Sequence, residues 1–475
     1  MLFNSPVFLY LFLPLFLIGY YLVPKSGRNA LVTFFSLIFF AWGSVSYTWL
    51  LLFSTGINYF FGLIAGGEGK RLWMWLGIAV NLALLFYFKY ALFFIENLNF
   101  LALKMGVQTV KVPEIVLPIG ISFYTFHGMS YQIDVYRGSV APQRNFLNLL
   151  LYKSFFPQLI AGPIVRYNQI SEELEHRDLT QNNLIVGFKR FLIGLSKKIL
   201  IANSFAYAAD EMWGIYLSDM STINAWIGIG AYTFQIYMDF SAYSDMAIGL
   251  ARMIGFHFPE NFHFPYLATG FKEFWQRWHI SLSTWFRDYL YIPLGGNRGG
   301  KLRTLFNLWL VFLCTGFWHG ASWNFVFWGV LHGLYLSVER LWKWDISFIP
   351  KWLKIGFTFF AVMMAWVPFR AENMEQTWGF YQKLFGGGSV PSDNYHLYMQ
   401  SNVLNKEFWL MSIVAVYFAF GFGDGKWGWN TLWKQMKQRF RGLEWLEVLG
   451  FVFLFWICSI YIISGSYSPF IYFRF

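Results

Sequence analysis

Charge is what this sequence has least of. Asp, Glu, Lys and Arg make up 13% of its 475 residues, about half the share found in ordinary soluble domains. With 57% of the side chains hydrophobic and 23% aromatic, the shortage excludes a fully solvated globular surface. Lipid must be the solvent for much of the chain. Cysteine is scarcer still. Cys314 and Cys458 both lie in apolar runs, too few and too isolated for a disulfide framework or a cysteine zinc site. No His-x-x-x-His pair or carboxylate cluster has metal-ligand spacing, so neither a metal nor a permanently bound cofactor is expected. A Gly-x-Ser-x-Gly elbow is also missing, which disfavours a self-contained serine esterase. Nor are there soluble domains, internal repeats or low-complexity linkers.

What is present is one apolar run after another. A hydrocarbon core about 30 Å thick needs roughly 20 mostly apolar residues per helix. Clear stretches are Val7 to Val23, Ala30 to Trp42, Tyr47 to Ala65, Leu72 to Ile95, Ile115 to Tyr136, Phe408 to Phe422 and Val448 to Ser464. Less regular ones fall at Phe146 to Pro163, Leu184 to Ser204, Ile223 to Gly255, Phe306 to Val338 and Leu353 to Val367. The expected fold is an all-α polytopic membrane protein, one domain over residues 1–475, with about ten to twelve helices crossing or entering the bilayer. Met1 to Val23 has no basic leader and no small-residue cleavage site, and is expected to be a retained first span.

Lys plus Arg exceed Asp plus Glu by 36 − 25 = 11. The surplus sits in short clusters between apolar runs, the positive-inside pattern rather than a nucleic-acid surface. Lys25 and Arg28, Lys70 and Arg71, and Arg137 and Arg144 alternate with the charge-poor turn Gly43 to Ser46, so the basic loops are assigned to the cytoplasm. Lys426, Lys434, Lys437, Arg439 and Arg441 join them. That sends the last span outward and leaves the tail 465–475 extracytoplasmic. Gly386 to Ser389, followed by Pro391 to Lys406, reads as an external loop.

Ionisable groups inside spans cost several kcal/mol by order of magnitude and mark bundle interiors or wet cavities. Gln235, Asp239 and Asp245 share the stretch Tyr232 to Arg252, and two readings are open: the lining of an aqueous tunnel, or an internal network joining helices. His319 lies in Gly316-Phe317-Trp318-His319-Gly320 within an apolar run. Glycines at helical spacing admit a close neighbour, and imidazole suits a general base; a structural histidine is the other reading. His279, in Trp275-Gln276-Arg277-Trp278-His279-Ile280-Ser281, is a second candidate, though Trp, Arg and His also compose an interfacial belt. Gly295-Gly296-Asn297-Arg298-Gly299-Gly300-Lys301-Leu302-Arg303 combines glycine backbone with Arg298, Lys301 and Arg303. Such a segment can cradle phosphate or serve as a plain basic turn.

The segment Phe274 to Arg298, with Arg287-Asp288-Tyr289-Leu290-Tyr291-Ile292-Pro293-Leu294-Gly295-Gly296-Asn297-Arg298, closely resembles the membrane-bound O-acyltransferase family. The likeness is to its alginate and peptidoglycan O-acetyltransferase branch. Leu117 to Phe126, Phe156 to Pro163, Met238 to Gly249 and Phe317 to Ala321 agree, so the similarity spans nearly the whole chain. His127 and Gly128 depart from it and receive no role. The resemblance implies a ring of helices around a through-membrane funnel, His319 as the catalytic histidine, His279 as its companion, and Trp318 among the tunnel-lining residues. It also implies acetyl-CoA as the donor substrate, with its phosphates near Arg298, Lys301 and Arg303. An external esterase-like partner would pass the acetyl group to an envelope glycan, with alginate, another exopolysaccharide and peptidoglycan all open. The ending Ser468-Pro469-Phe470-Ile471-Tyr472-Phe473-Arg474-Phe475 is similar to the small partner peptide of teichoic acid D-alanylation, which makes Tyr472 either an acyl carrier or an aromatic interfacial anchor. A proton- or ion-coupled transporter and a lipid-directed acyltransferase are the rival functions; the transporter lacks the paired halves common in that class.

Overall fold

A computed structural model describes residues 1–66, 70–342, 349–387, 400–421, 433 and 442–465. Every regular element among the described residues is helical. Four helices are long and apolar enough to cross a bilayer: Val45–Ala65, Arg71–Lys104, Lys351–Arg370 and Leu443–Ile463. Phe8–Leu22 is a shorter apolar helix. In Leu443–Ile463 only 6% of the apolar window is buried within the protein, so this helix turns its apolar side chains outward, as lipid as solvent requires. The basic cluster from Lys426 to Arg441 and the tail with Tyr472 lie outside the described residues.

The chain divides into two compact units, each taken by itself. The first comprises Met1–Phe188 and Ala247–Pro259. Its helices include α1 (Leu13–Leu22), α2 (Arg28–Ala41), α3 (Val45–Ala65), α4 (Arg71–Leu85), α5 (Ala91–Lys104), α6 (Ile121–Tyr136) and α7 (Phe146–Ser154). Ser44 caps α3 by accepting from the Tyr47 N–H at 3.5 Å, and Asn145 caps α7. Away from water, helices are joined by small residues and buried amides. The Asn58 and Asn81 side chains exchange bonds of 3.1 and 3.0 Å, and Gln132 donates to Asn58 at 2.9 Å. A Cβ at Gly77 or Gly128 would collide with these same amides. Glycine there is what lets α3, α4 and α6 meet through polar groups.

The second unit comprises Lys189–Met246 and Glu260–Phe475. Its first helical run passes through a π segment, Lys197–Ala202, on the way to Asn203–Trp213. The long helix Thr222–Met253 belongs to this unit as far as Met246. The short α8 (Phe271–Arg277) and α9 (Ile280–Phe286) follow, then the hairpin α10 (Gly300–His319) and α11 (Trp323–Leu341), then α12 (Lys351–Arg370). The hairpin is close at the backbone. A Cβ on Gly329 would lie 2.5 Å from the Phe312 carbonyl oxygen, and one on Gly316 would collide with the Phe325 carbonyl.

Overpacking of this kind typically costs about 1–3 kcal/mol. Gly316→Ala should therefore lower the thermal midpoint of the detergent-solubilised protein. Gly356→Ala on α12, where a Cβ meets nothing within 4 Å, should leave it unchanged or raise it by virtue of helix propensity.

Candidate active site

His319 is the last residue of α10, and its helix stops because Gly320 adopts extended backbone at φ −167°. The chain turns through Ser322 into α11, and Asn324 donates to the Ala371 carbonyl at 2.7 Å, fixing the start of α11 against the end of α12. Three elements thereby bring aromatic rings around the imidazole. Trp318, Trp328 and Phe369 each stand with ring centroids 5.0 Å from it. His319 is 6% exposed, a buried imidazole packed among these rings.

His279 also packs against Trp318, whose ring centroid is 5.9 Å from it. It is fully buried and occupies the left-handed backbone region, φ 42° and ψ 53°, where it starts α9. For a residue other than glycine that conformation costs of order 1–3 kcal/mol and persists only where its surroundings enforce it. The enforcing residue is Asn261. Its backbone carbonyl accepts from the Ile280 N–H at 2.9 Å. Its side-chain oxygen accepts from the Ser281 hydroxyl at 2.8 Å and the Ser281 N–H at 3.2 Å, and lies 3.1 Å from His279 Nδ1. Its amide nitrogen donates to Ser244 at 3.0 Å, which fixes the oxygen toward the histidine. His279 Nδ1 therefore carries a proton, and in the neutral ring Nε2 is the acceptor. Asn261 was not foreseen from the sequence. Its one signal is an amide in the proline-marked connection before Phe262.

The remaining candidates fall elsewhere in this unit. Asp239 lies 2.8 Å from Lys198, and Asp245 lies 2.8 Å from Lys197 and 2.6 Å from Arg190. The π segment makes this possible by presenting two consecutive lysines to carboxylates six residues apart on one helix. Gln235 is buried on that same helix. Both aspartates thus belong to an internal ion-pair network, with Lys197 and Lys198 as partners unforeseen in the sequence.

Arg298, Lys301 and Arg303 are exposed. Positive φ at Gly295, Gly296 and Gly300 folds their loop, a conformation suited to glycine. Asn307 ties the Gly296 carbonyl at 3.1 Å, and Arg303 ties that of Leu294 at 3.3 Å. None of the three basic residues lines the cavity beside the loop. That cavity, about 660 Å³, has Tyr291 and Asn297 of the loop in its wall, but its cations are Lys272, Arg340 and Lys354. Its carboxylates have other tasks. Glu339 accepts the Phe271 and Lys272 N–H groups at the start of α8. Partial burial disfavours the Glu273 charge, yet hydrogen bonds from Thr269 and Arg277 hold its carboxyl below the usual range. Among the described residues no three His, Cys, Asp or Glu side chains gather as a metal-binding group.

A histidine in an aromatic cage and a second histidine oriented by an amide, both packed against Trp318, form the candidate site. The family model described as membrane-bound O-acyltransferase matches residues 82–367. The probable alginate O-acetylase AlgI of Azotobacter vinelandii is 48% identical over 396 residues, 82% of this chain and 79% of that protein. The peptidoglycan O-acetyltransferase of Helicobacter pylori is 34% identical over all of this chain and 98% of its own. The teichoic acid D-alanyltransferase of Streptococcus thermophilus is 29% identical over 53% of this chain and 68% of its own. The cage around His319 lies inside the matched region, and this chain belongs to the membrane-bound O-acyltransferase family.

Proposed function

We propose that this enzyme transfers acetyl groups from cytoplasmic acetyl-CoA across the inner membrane toward an extracytoplasmic envelope glycan, an exopolysaccharide such as alginate or peptidoglycan. The observation that carries the reading is that His319 and an amide-oriented His279 both pack against the ring of Trp318. The relatives named for acetylation of alginate and peptidoglycan support the choice of acyl group and acceptor.

In this mechanism His319 removes the proton of the acceptor hydroxyl as its oxygen bonds to the thioester carbon. The carbon–sulfur bond breaks, and the thiolate leaves with that proton as free CoA. Because its Nδ1–H is committed to Asn261, neutral His279 offers Nε2 to orient the hydroxyl. It can donate to a developing oxyanion only as imidazolium. The aromatic cage excludes water that would hydrolyse the thioester. The first acceptor is Tyr472 on the external tail, or a hydroxyl of an external esterase-like partner that completes delivery to the sugar. A phenol with a pKa near 10 needs such a base to attack at neutral pH.

His319→Ala should lower glycan acetylation about 100- to 10,000-fold while the protein remains in the membrane; acetylation at the wild-type rate would remove His319 from the mechanism. Asn261→Ala frees the His279 ring and should lower kcat about tenfold, the order expected from losing a buried hydrogen bond, with little change in KM for acetyl-CoA. After incubation with labelled acetyl-CoA, intact-mass analysis should find a label that Tyr472→Phe loses. Label and activity that both survive the substitution would assign the first acceptor to the partner.

A further inference from the structure

The cavity of about 660 Å³ beside the 295–300 loop takes no part in the acyl-transfer mechanism, and its depth in the membrane follows from the helices around it. α12, Lys351–Arg370, is one of the helices long and apolar enough to cross the bilayer. Its 20 residues rise about 30 Å, the thickness of a hydrocarbon core. Lys354, in the first turn, therefore stands at the level of the headgroups. It lines the cavity together with Glu339 and Arg340 of the last turn of α11, and with Tyr291 and Asn297 ahead of α10. Trp342, just past α11, and Trp352, at the start of α12, are 74% and 70% exposed. Exposed tryptophans at helix ends mark the boundary between hydrocarbon and headgroups. The far end of α12 carries Arg370, which is paired with Asp210. Lys351 and Lys354 stand at the cavity end, beside the loop that carries Arg298, Lys301 and Arg303. By the positive-inside rule the cavity end is cytoplasmic.

The charges in the cavity wall leave a surplus. Of its two carboxylates, Glu339 accepts from the Phe271 and Lys272 N–H groups, and Glu273 is held by Arg277 and Thr269. Lys272, Arg340 and Lys354 exceed these two by 3 − 2 = 1. The Lys272 ammonium and the Arg340 guanidinium enter no ion pair among the described residues. Leu308 and Leu336, further from the helix ends, make part of the wall apolar. Cations beside an apolar surface at headgroup depth suit an amphiphile that carries a phosphate. Basic pockets between membrane helices on the cytoplasmic side are a recurrent seat for anionic lipid headgroups.

We infer that this cavity binds the headgroup of an anionic phospholipid from the inner leaflet. Its phosphate accepts charge-assisted hydrogen bonds from Arg340, Lys272 and Lys354. The glycerol and the first methylenes lie against Leu308 and Leu336. The acyl chains rejoin the bilayer along α11 and α12, where Leu341, Leu353 and Phe357 are exposed. The net positive wall selects a lipid of net negative charge, because a zwitterionic headgroup would bring a further cation to a wall already rich in them. A lipid held there touches residues of α8, α11 and α12 together, and binding to the folded state alone stabilises it by mass action.

The test uses the full-length protein purified in detergent and titrated with phosphatidylglycerol or phosphatidylcholine, with bound lipid counted by native mass spectrometry. Phosphatidylglycerol should bind about fivefold more tightly and raise the thermal midpoint. Arg340→Gln and Lys272→Gln should each weaken its binding about fivefold, the effect of one basic residue near a membrane surface. Neither should move the midpoint measured before lipid is added. Lys301→Gln removes the same charge from the same face but outside the cavity, and should leave binding unchanged. Wild-type protein that holds both lipids alike overturns the site. Equal loss in all three variants also overturns it, since that is the mark of diffuse attraction to a basic face. Adenosine 3′-phosphate 5′-diphosphate probes a soluble source of phosphate. If it displaces phosphatidylglycerol from the wild type but not from Arg340→Gln, the cavity belongs to a nucleotide and the lipid assignment falls; a failure to displace it supports the lipid.

Discussion

The backbone-to-backbone approach of α10 and α11 at Gly316 and Gly329 is the constraint on which the second unit depends. Because neither residue has a side chain, the Phe312 and Phe325 carbonyls fill the space a Cβ would take. The surroundings of His319 are then set by position along the two helices. His319 ends one of them, and Trp328 and His332 lie on the facing side of the other. In water such a seam would be driven by the hydrophobic effect. Intimate van der Waals packing of this kind needs no hydrophobic effect and holds helices together in lipid as well as in water.

Polar groups in the two units follow one rule with different means. In the first, buried amides pair across α3, α4 and α6. In the second, Asp239 and Asp245 are met by Lys198, Lys197 and Arg190, and the strained His279 is tied to Asn261. Each arrangement satisfies a group that lipid would leave exposed at a cost of several kcal/mol. His279 differs in that the same contact also orients its ring.

Much of this was legible in the sequence, and the pattern of what was not is physical. The apolar runs gave an all-helical membrane protein, and Gly316, His319 and Gly320 stood out because their spacing along one helix is a local property. Asn261 was invisible because its meaning comes from residues 18 and 20 positions away. Asp239 and Asp245 were legible as polar groups inside an apolar run, but their partners Lys198 and Lys197 on another helical run were not. Arg298, Lys301 and Arg303 lie on an exposed loop, while Lys272, Arg340 and Lys354 in the wall of the neighbouring cavity are far apart in sequence and were not legible as a group.

The π segment Lys197–Ala202 has a consequence for how this chain can change over time. A π turn holds one residue more than an α turn, so deleting a single residue there would rotate all that precedes it by about 100° relative to all that follows. Both ammonium groups would swing off their aspartates, whereas an apolar exchange at Ile199 or Ile201 would leave them in place. Drift in sequence is tolerable along this stretch; drift in length is not.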